Sequence, residues 1–408
     1  MNILFIHEVD WIEKVVFDLH YLAEGLSLRG HNVYVIDYED TWSTNGSSGL
    51  GTLKTRELGK IPRAFDNSSV SVIRPGSIKI TGISRISAAV THYLAIRRTI
   101  REKRIDAIVL YSVPTNGIQA INLAKKYNIP VIFRSIDILH QLVPYPVLRS
   151  LTRFLEKRVY PRADLILTLT PKGSGYVKEL GAAEEKIRWL KMPVDTGIFH
   201  PLPDTAEMWR ELGYRESDQI IVFIGTLFEF SGLDGLIEVF PKILGEVPDA
   251  RLLIVGDGPQ RTALEKIIGE TGLSEKVIIT GFKPYSTMPS YINLASLCVL
   301  PFRIVRATRD IFPGKITQYL ACGKVVIATP LPGTTAVIPE GQDYLVYVSG
   351  SDEMAEKIIS LLKSHKQRRQ SEQKAIEYVT NEHSYVKISE KLEEYITEVI
   401  KKKNGELS

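Results

Sequence analysis

The chain opens on an unbroken apolar run at residues 2–7, NILFIH, which is short and rich in branched side chains and predicts a buried strand. Leu19, Leu22, Ala23 and Leu26 then recur at helical spacing within a helix expected over 11–28. Arg29-Gly30-His31 stops it, because glycine suits the left-handed residue past a helix end. A second run, NVYVID at 32–37, supplies the next strand. Strand, helix, glycine stop and strand in this order form a βαβ unit, which implies a parallel sheet with a right-handed crossover. The alternation continues through strands at 70–74, 107–111, 131–134 and 165–170, with helices at 86–103 and 117–127. It is broken only at 41–69, where Thr44-Asn45-Gly46-Ser47-Ser48-Gly49 and other polar residues read as a long, mobile loop.

At 192–207 the sequence MPVDTGIFHPLPDTAE is proline-rich and aperiodic, as expected of a linker between domains. Alternation restarts with strands at 220–225, 251–256, 277–280, 297–301, 325–329 and 345–348, and a final helix at 386–402 carries a charged face. The fold class is therefore α/β, with two Rossmann-like doubly wound domains at 1–194 and 195–384. The last segment, 385–408, is a helix that can pack back on the first domain. Two such domains are expected to face each other across a cleft and to hold ligands there, at the carboxyl ends of their strands.

Length and composition fit this division, since 408 residues exceed one ordinary core and 44% hydrophobic with 24% charged residues supports a folded, soluble chain. Cys298 and Cys322 lack a CxxC spacing and read as buried thiols in a reducing compartment. The start resembles no signal peptide and no apolar run is long enough to span a bilayer, so a cytoplasmic protein is expected, with at most peripheral contact to a membrane. Charge is uneven: residues 1–200 hold 27 Lys+Arg against 19 Asp+Glu, and the remainder 24 against 28. A basic first half suits anionic lipid or a phosphate-bearing acceptor as well as ordinary solvated surface. One basic patch lies at 97–104. A second, Arg149, Arg153, Lys157, Arg158 and Arg162, interleaves with Leu148, Leu151, Phe154 and Leu155, as in a helix lying on lipid or over the domain core. No nucleic-acid motif accompanies the charge.

Three loops of the second half follow strands and open onto helices. Gly225-Thr226-Leu227 and Gly256-Asp257-Gly258-Pro259 carry glycines that let backbone approach a ligand, or serve plain turns. Neither is G-x-G-x-x-G, which argues against an NAD enzyme. The third loop runs from Arg303 through Arg306, Arg309 and Asp310 to Pro313-Gly314-Lys315, before a helix that Gly323 stops. Three arginines, a lysine and a helix start make it an anion site, with a diphosphate as its guest and Gln318 and Tyr319 one turn further on for ribose or base.

Taken together, Val194-Asp195 with Phe199 and Pro201, Gly225-Thr226-Leu227, Gly256-Asp257-Gly258-Pro259, Gly281-Phe282, Pro313-Gly314-Lys315 and Tyr319-Leu320-Ala321-Cys322-Gly323-Lys324-Val325-Val326 stand in the order seen in glycosyltransferase family 4. The first half resembles that family through Arg29-Gly30-His31-Asn32-Val33, Asp137, and Glu156-Lys157-Arg158 before Arg162-Ala163-Asp164. The resemblance spans nearly the whole chain. It implies a GT-B fold and retaining transfer of a hexose from a nucleotide-diphosphate sugar, held by the second domain, to a glycan or lipid-linked acceptor held by the first. It implies no metal or other cofactor, in line with the lack of an Asp-x-Asp. Leaving-group charge is then met by cations and backbone amides.

The chain departs from the family at several of these positions. Thr226 and Ser231 stand where the family usually has Arg and Lys, and Asp310 and Gln318 stand for its paired glutamates. His7-Glu8-Val9-Asp10-Trp11 replaces a glycine-rich loop, and Ile136 precedes Asp137 where the family often has His. Asp137, with His140 three residues on as the substitute, is the expected catalytic pair; turn, capping or plain loop roles are the alternatives for both. The departures also support a non-catalytic relative that binds a nucleotide sugar or glycan or assists a partner. A nucleotide-sugar epimerase or hydrolase on the same fold is the third reading.

Overall fold

A computed structural model describes residues 1–39, 50–80, 83–143, 146–203, 206–215 and 217–406. The chain divides into two compact units, Met1–Pro193 with Tyr385–Ser408, and Val194–Ser384.

The first unit is built on eight strands: β1 Asn2–Ile6, β2 Asn32–Ile36, β3 Arg56–Lys60, β4 Ser71–Arg74, β5 Ala107–Leu110, β6 Val131–Ser135, β7 Leu165–Thr168 and β8 Ile187–Trp189. They lie in the order β3-β4-β2-β1-β5-β6-β7-β8, all parallel except β3, which runs antiparallel to β4 at the edge. β1, β5, β6 and β7 are buried on both faces, which is why they read as continuous apolar runs. The helices Ser84–Lys103, Gly117–Tyr127 and Pro146–Val159 cover one face and share a core with Ile6, Leu110 and Phe133. The helices Asp18–Leu28 and Tyr385–Lys403 cover the other, packing on Phe5, Val35 and Val109. These last two approach closely because Gly25 has no side chain: a Cβ there would lie 2.1 Å from Ser389 Oγ.

Two expectations change here. The first helix begins at Asp18 rather than near residue 11. Asp10 Oδ1 accepts from the N–H of Ile12 and Glu13 in a turn, and Trp11 is buried, its N–H bonded to Asp37 Oδ1 at 2.7 Å and its indole N–H to Ile61 O at 3.0 Å. Residues 50–69 also form ordered structure that includes β3. Glu24, buried in the first helix, accepts from the N–H groups of Arg63, Ala64 and Phe65 and from Ser68 Oγ, and so pins the segment that follows β3. The Thr44–Gly49 stretch lies outside the described residues.

In the second unit β9 Gln219–Ile224, β10 Ala250–Val255, β11 Val277–Ile279, β12 Leu297–Leu300, β13 Val326–Ala328 and β14 Leu345–Tyr347 form a wholly parallel sheet in the order β11-β10-β9-β12-β13-β14. This is the doubly wound arrangement whose direction reverses between β9 and β12, and ligands of such sheets settle outside the carboxyl ends at that reversal. In the first unit the reversal falls between β1 and β5. Cys298 and Cys322 are buried free thiols of the second unit.

Candidate functional site

At the reversal of the second unit the dominant feature is Lys315, first residue of the helix Lys315–Ala321. Its Nζ lies 4.8 Å from the centroid of the Phe223 ring on β9 and 5.1 Å from that of Phe302, just past β12. A Cβ on Gly225 would come within 2.2 Å of that Nζ, so the glycine after β9 makes room for the lysine. Among the described residues no carboxylate pairs with Lys315. Burial without a counter-ion pushes its pKa down to about 8. Two aromatic faces stabilise a cation in part, but a desolvated ammonium still favours an anion beside it.

Around this lysine several side chains expected to meet a ligand have other work. Arg303 is paired with Asp234 and with Glu229 at 4.0 Å, so its charge is already compensated. Arg306 and Arg309 are exposed, on a loop folded over the buried Thr308, whose hydroxyl donates to Arg303 O and accepts from Val305 N–H. Tyr319 is buried and its hydroxyl accepts from the Ile224 N–H at 2.8 Å, which ties the helix to β9 and removes the tyrosine from any ribose. Gln318, partly buried, donates to the Tyr285 hydroxyl at 3.0 Å. Asp257 is exposed and paired with Arg261 at 2.8 Å, which holds its carboxyl below the usual range.

Gly256 and Gly258 let their loops pack closely. A Cβ on Gly256, at φ +151°, would meet Gly225 O at 2.0 Å, and one on Gly258 would meet Leu227 N at 2.6 Å. The loops they hold together are joined by Leu227 N–H donating to Asp257 O and Gln260 N–H to Leu227 O. Thr226 is exposed beside them, whereas Ser231 is buried, donating to Thr226 O and accepting from Phe228 N–H. Asp310 and Gly314 are partly buried, and Gly333 packs against the Asp310 backbone, where a Cβ would fall 2.3 Å from its carbonyl.

In the first unit Asp137 follows β6 in a bend, and burial, with the Asp18 carboxylate adding to it, raises its pKa against the opposing effect of Lys14. His140 lies in the short helix Leu139–Leu142, with Nδ1 2.7 Å from the Tyr176 hydroxyl and 3.2 Å from Glu156 Oε2. Among the described residues no hydrogen bond joins Asp137 to His140. The imidazole is turned toward buried Glu156, which also accepts from Tyr160 and Tyr176, and it lines a pocket of about 370 Å3 with Ile138, Arg153, Lys172 and Tyr176. The sequence signal for Glu156 was its place in Glu156-Lys157-Arg158; its chemistry with His140 had none.

Two family profiles match the chain, "Glycosyl transferases group 1" over residues 204–378 and "Glycosyl transferase 4-like domain" over 16–191. N-acetyl-alpha-D-glucosaminyl L-malate synthase of Bacillus anthracis is 24% identical over 64% of this chain and 66% of its own length. A GDP-mannose-dependent alpha-(1-6)-phosphatidylinositol monomannoside mannosyltransferase of Mycolicibacterium smegmatis is 32% identical over 37% of this chain and 42% of its own. The chain thus spans about two thirds of the first relative and under half of the second. Among solved structures, Anabaena Alr3699/HepE in complex with UDP-glucose superposes with a TM-score of 0.71 at 17% identity, covering 98% of this chain and 100% of that one. The two parallel α/β units and this likeness establish the GT-B fold.

Proposed function

From the premise that this chain belongs to the group 1 glycosyl transferases, we propose that it moves a hexose from a nucleotide-diphosphate sugar to a hydroxylated acceptor, retaining the anomeric configuration and without a metal ion. The observation that carries the reading is Lys315, a partly buried cation without a carboxylate partner among the described residues, at the sheet reversal where doubly wound folds hold ligands. A diphosphate supplies the missing anion. Its charge grows as the sugar leaves, and an ammonium fixed between two rings meets that charge without reorganising. Arg306 and Arg309, exposed on the adjoining loop, add positive potential. The relatives that use GDP-mannose and the neighbour that holds UDP-glucose support a nucleotide sugar as donor. Asp137, whose raised pKa leaves it a weakly compensated carboxyl, suits contact with the reacting sugar.

The donor assignment is tested by thermal shift with UDP-, GDP-, ADP- and dTDP-sugars, with and without chelator, on the native chain and Lys315→Met. A donor at 100 times its Kd should add ~2.7 kcal/mol to native stability. One nucleotide class should stabilise the chain, chelator should change nothing, and Lys315→Met should abolish the shift. Stabilisation that survives in Lys315→Met removes the diphosphate from this lysine.

A second reading, a binding protein that has lost turnover, is favoured by Ser231, a buried loop cap at the family's lysine position. Release of free sugar or of a nucleotide diphosphate separates the two.

For the acceptor, a lipid-linked glycan at an anionic surface is supported by the helix Pro146–Val159. It exposes Val147, Leu151 and Phe154 between Arg153, Lys157 and Arg158, with Arg158 stacked on Phe154 at 4.7 Å. Sedimentation with phosphatidylglycerol vesicles should show binding that salt and Leu151→Asp both weaken; equal binding to phosphatidylcholine removes the electrostatic part.

A further inference from the structure

The helix Ser84–Lys103 covers the first sheet with Ala95, Ile96 and Ile100, while a second row of its side chains is turned outward. Ile86, Val90, Leu94, Arg97 and Arg101 recur every three or four residues and so lie in one stripe, ~22 Å long at the rise of an α-helix. Ile86, Val90 and Leu94 are 68%, 56% and 55% exposed. The stripe is therefore apolar over its first half and cationic over its second, a separation along the helix axis rather than across it.

At the cationic end Leu94, Arg97, Arg98, Arg101 and Glu102 line a cavity of about 410 Å3 that opens to solvent. Arg98 is answered there, because its Nε donates to both Glu102 oxygens at 2.9 Å. Arg97 and Arg101 form no ion pair among the described residues. Arg97 is half-buried, and its Nε is enclosed without a hydrogen-bond partner. An enclosed donor on a cation favours an anionic acceptor, which such a bond rewards more than a neutral one.

This cavity is remote from the edge where the sheet would hold substrates. Asn2, the first residue of β1, donates through Nδ2 to Lys103 O at 2.8 Å and to Arg104 O at 3.1 Å. The helix thus ends at the amino edge of the sheet, opposite the carboxyl edge where doubly wound folds bind their ligands. It is also distinct from the helix Pro146–Val159, since the helix Gly117–Tyr127 lies between the two.

A free anion would engage the arginines and leave the aliphatic half of the stripe bare. A molecule with a phosphate at one end and hydrocarbon at the other matches both halves. We propose that the helix Ser84–Lys103 binds an anionic phospholipid, with Arg97 and Arg101 on its phosphate and Leu94, Val90 and Ile86 along its hydrocarbon. This site requires neither the transfer nor the acceptor proposed above.

The test is calorimetric titration of the full chain with dihexanoyl phosphatidylglycerol below its micelle concentration. Dihexanoyl phosphatidylcholine serves as the neutral counterpart and glycerophosphoglycerol as the headgroup without chains. Phosphatidylglycerol should bind saturably, and each of the other two tenfold or more weakly. The double variant Arg97→Gln, Arg101→Gln should reduce phosphatidylglycerol to the level of phosphatidylcholine. Leu94→Ser should weaken phosphatidylglycerol and leave glycerophosphoglycerol unchanged. Leu151→Asp, on the other helix, should stay within twofold of the native chain. These substitutions alter helix surface, so the variants should melt with the native chain. The inference is overturned if phosphatidylcholine binds as tightly, if glycerophosphoglycerol matches the lipid, if the double variant keeps its affinity, or if Leu151→Asp loses as much as the double variant. Failure of the donor reading shows separately, as nucleotide sugars that do not stabilise the native chain.

Discussion

The β1–β5 end of the first unit and the β9–β12 end of the second are topological equivalents, and they solve the problem of buried charge in opposite ways. In the first, the most deeply buried ion pair is closed within the protein: Arg134 binds both carboxylate oxygens of Asp18 through two nitrogens and donates a third bond to Leu190 O, and the Tyr111 hydroxyl donates to Asp18 Oδ1. Three histidines nearby, His7, His20 and His92, are buried neutral, their pKa values pushed down to about 3, 4 and 4, chiefly by burial. In the second, Lys315 lies between two phenylalanines without a carboxylate partner among the described residues. A closed charge network specifies structure, while an open one selects a ligand of opposite sign. The same scaffold thus closes the Arg134–Asp18 pair within one unit and, among the described residues, leaves Lys315 without a carboxylate partner in the other.

The largest effect is expected from opening the closed network. Arg134→Met leaves Asp18 buried without its cation and leaves Leu190 O without a donor. Removing one partner of a buried pair costs about 3–5 kcal/mol, far more than the pair contributes against an apolar replacement of both. Urea unfolding should show that loss for Arg134→Met and a much smaller one for Asp18→Leu with Arg134→Met. By contrast Lys315→Met, which removes an unanswered charge, should leave the free chain as stable or more so while abolishing donor binding. Equal destabilisation by the two single variants would show that the units do not differ in this way.

How far this was legible in the sequence follows from the same physics. Strands buried on both faces, such as β1 and β9, announce themselves as apolar runs, and Gly30 marked its helix end. The edge strand β3, RELGK, is mostly exposed and has no apolar period, so nothing local distinguished it from loop. Its ordering depends on Glu24, some forty residues away in sequence, which reads as a surface helix position until its carboxylate is seen to collect four donors. The third loop was legible as cationic, but not which cation was compensated: Arg303 lies exposed beside Asp234 and Glu229, whereas Lys315 sits between two phenylalanine rings.

The smaller effect is in pH dependence, where both units should gain stability with rising pH but in different windows. In the unfolded chain a histidine takes up its proton near pH 6.5, but folded His7, His20 and His92 do not do so until about pH 3 to 4. Between these limits the unfolded state binds more protons, so stability falls on acidification, by roughly 3 to 5 kcal/mol for each histidine over the full interval. Asp37 and Glu24, held above the carboxylate range chiefly by burial, protonate early in the folded state and offset part of that loss. For Lys315 the unfolded group keeps its proton up to about pH 10.5 and the folded one gives it up near 8, so stability should rise with pH across that interval. Calorimetry from pH 5 to 10 on the native chain and Lys315→Met tests both halves together. The alkaline gain should vanish in the variant while the acid loss persists, because the histidines belong to the first unit and the lysine to the second. A variant that keeps the alkaline gain would mean that Lys315 is already compensated, and the anion site would lose its physical basis.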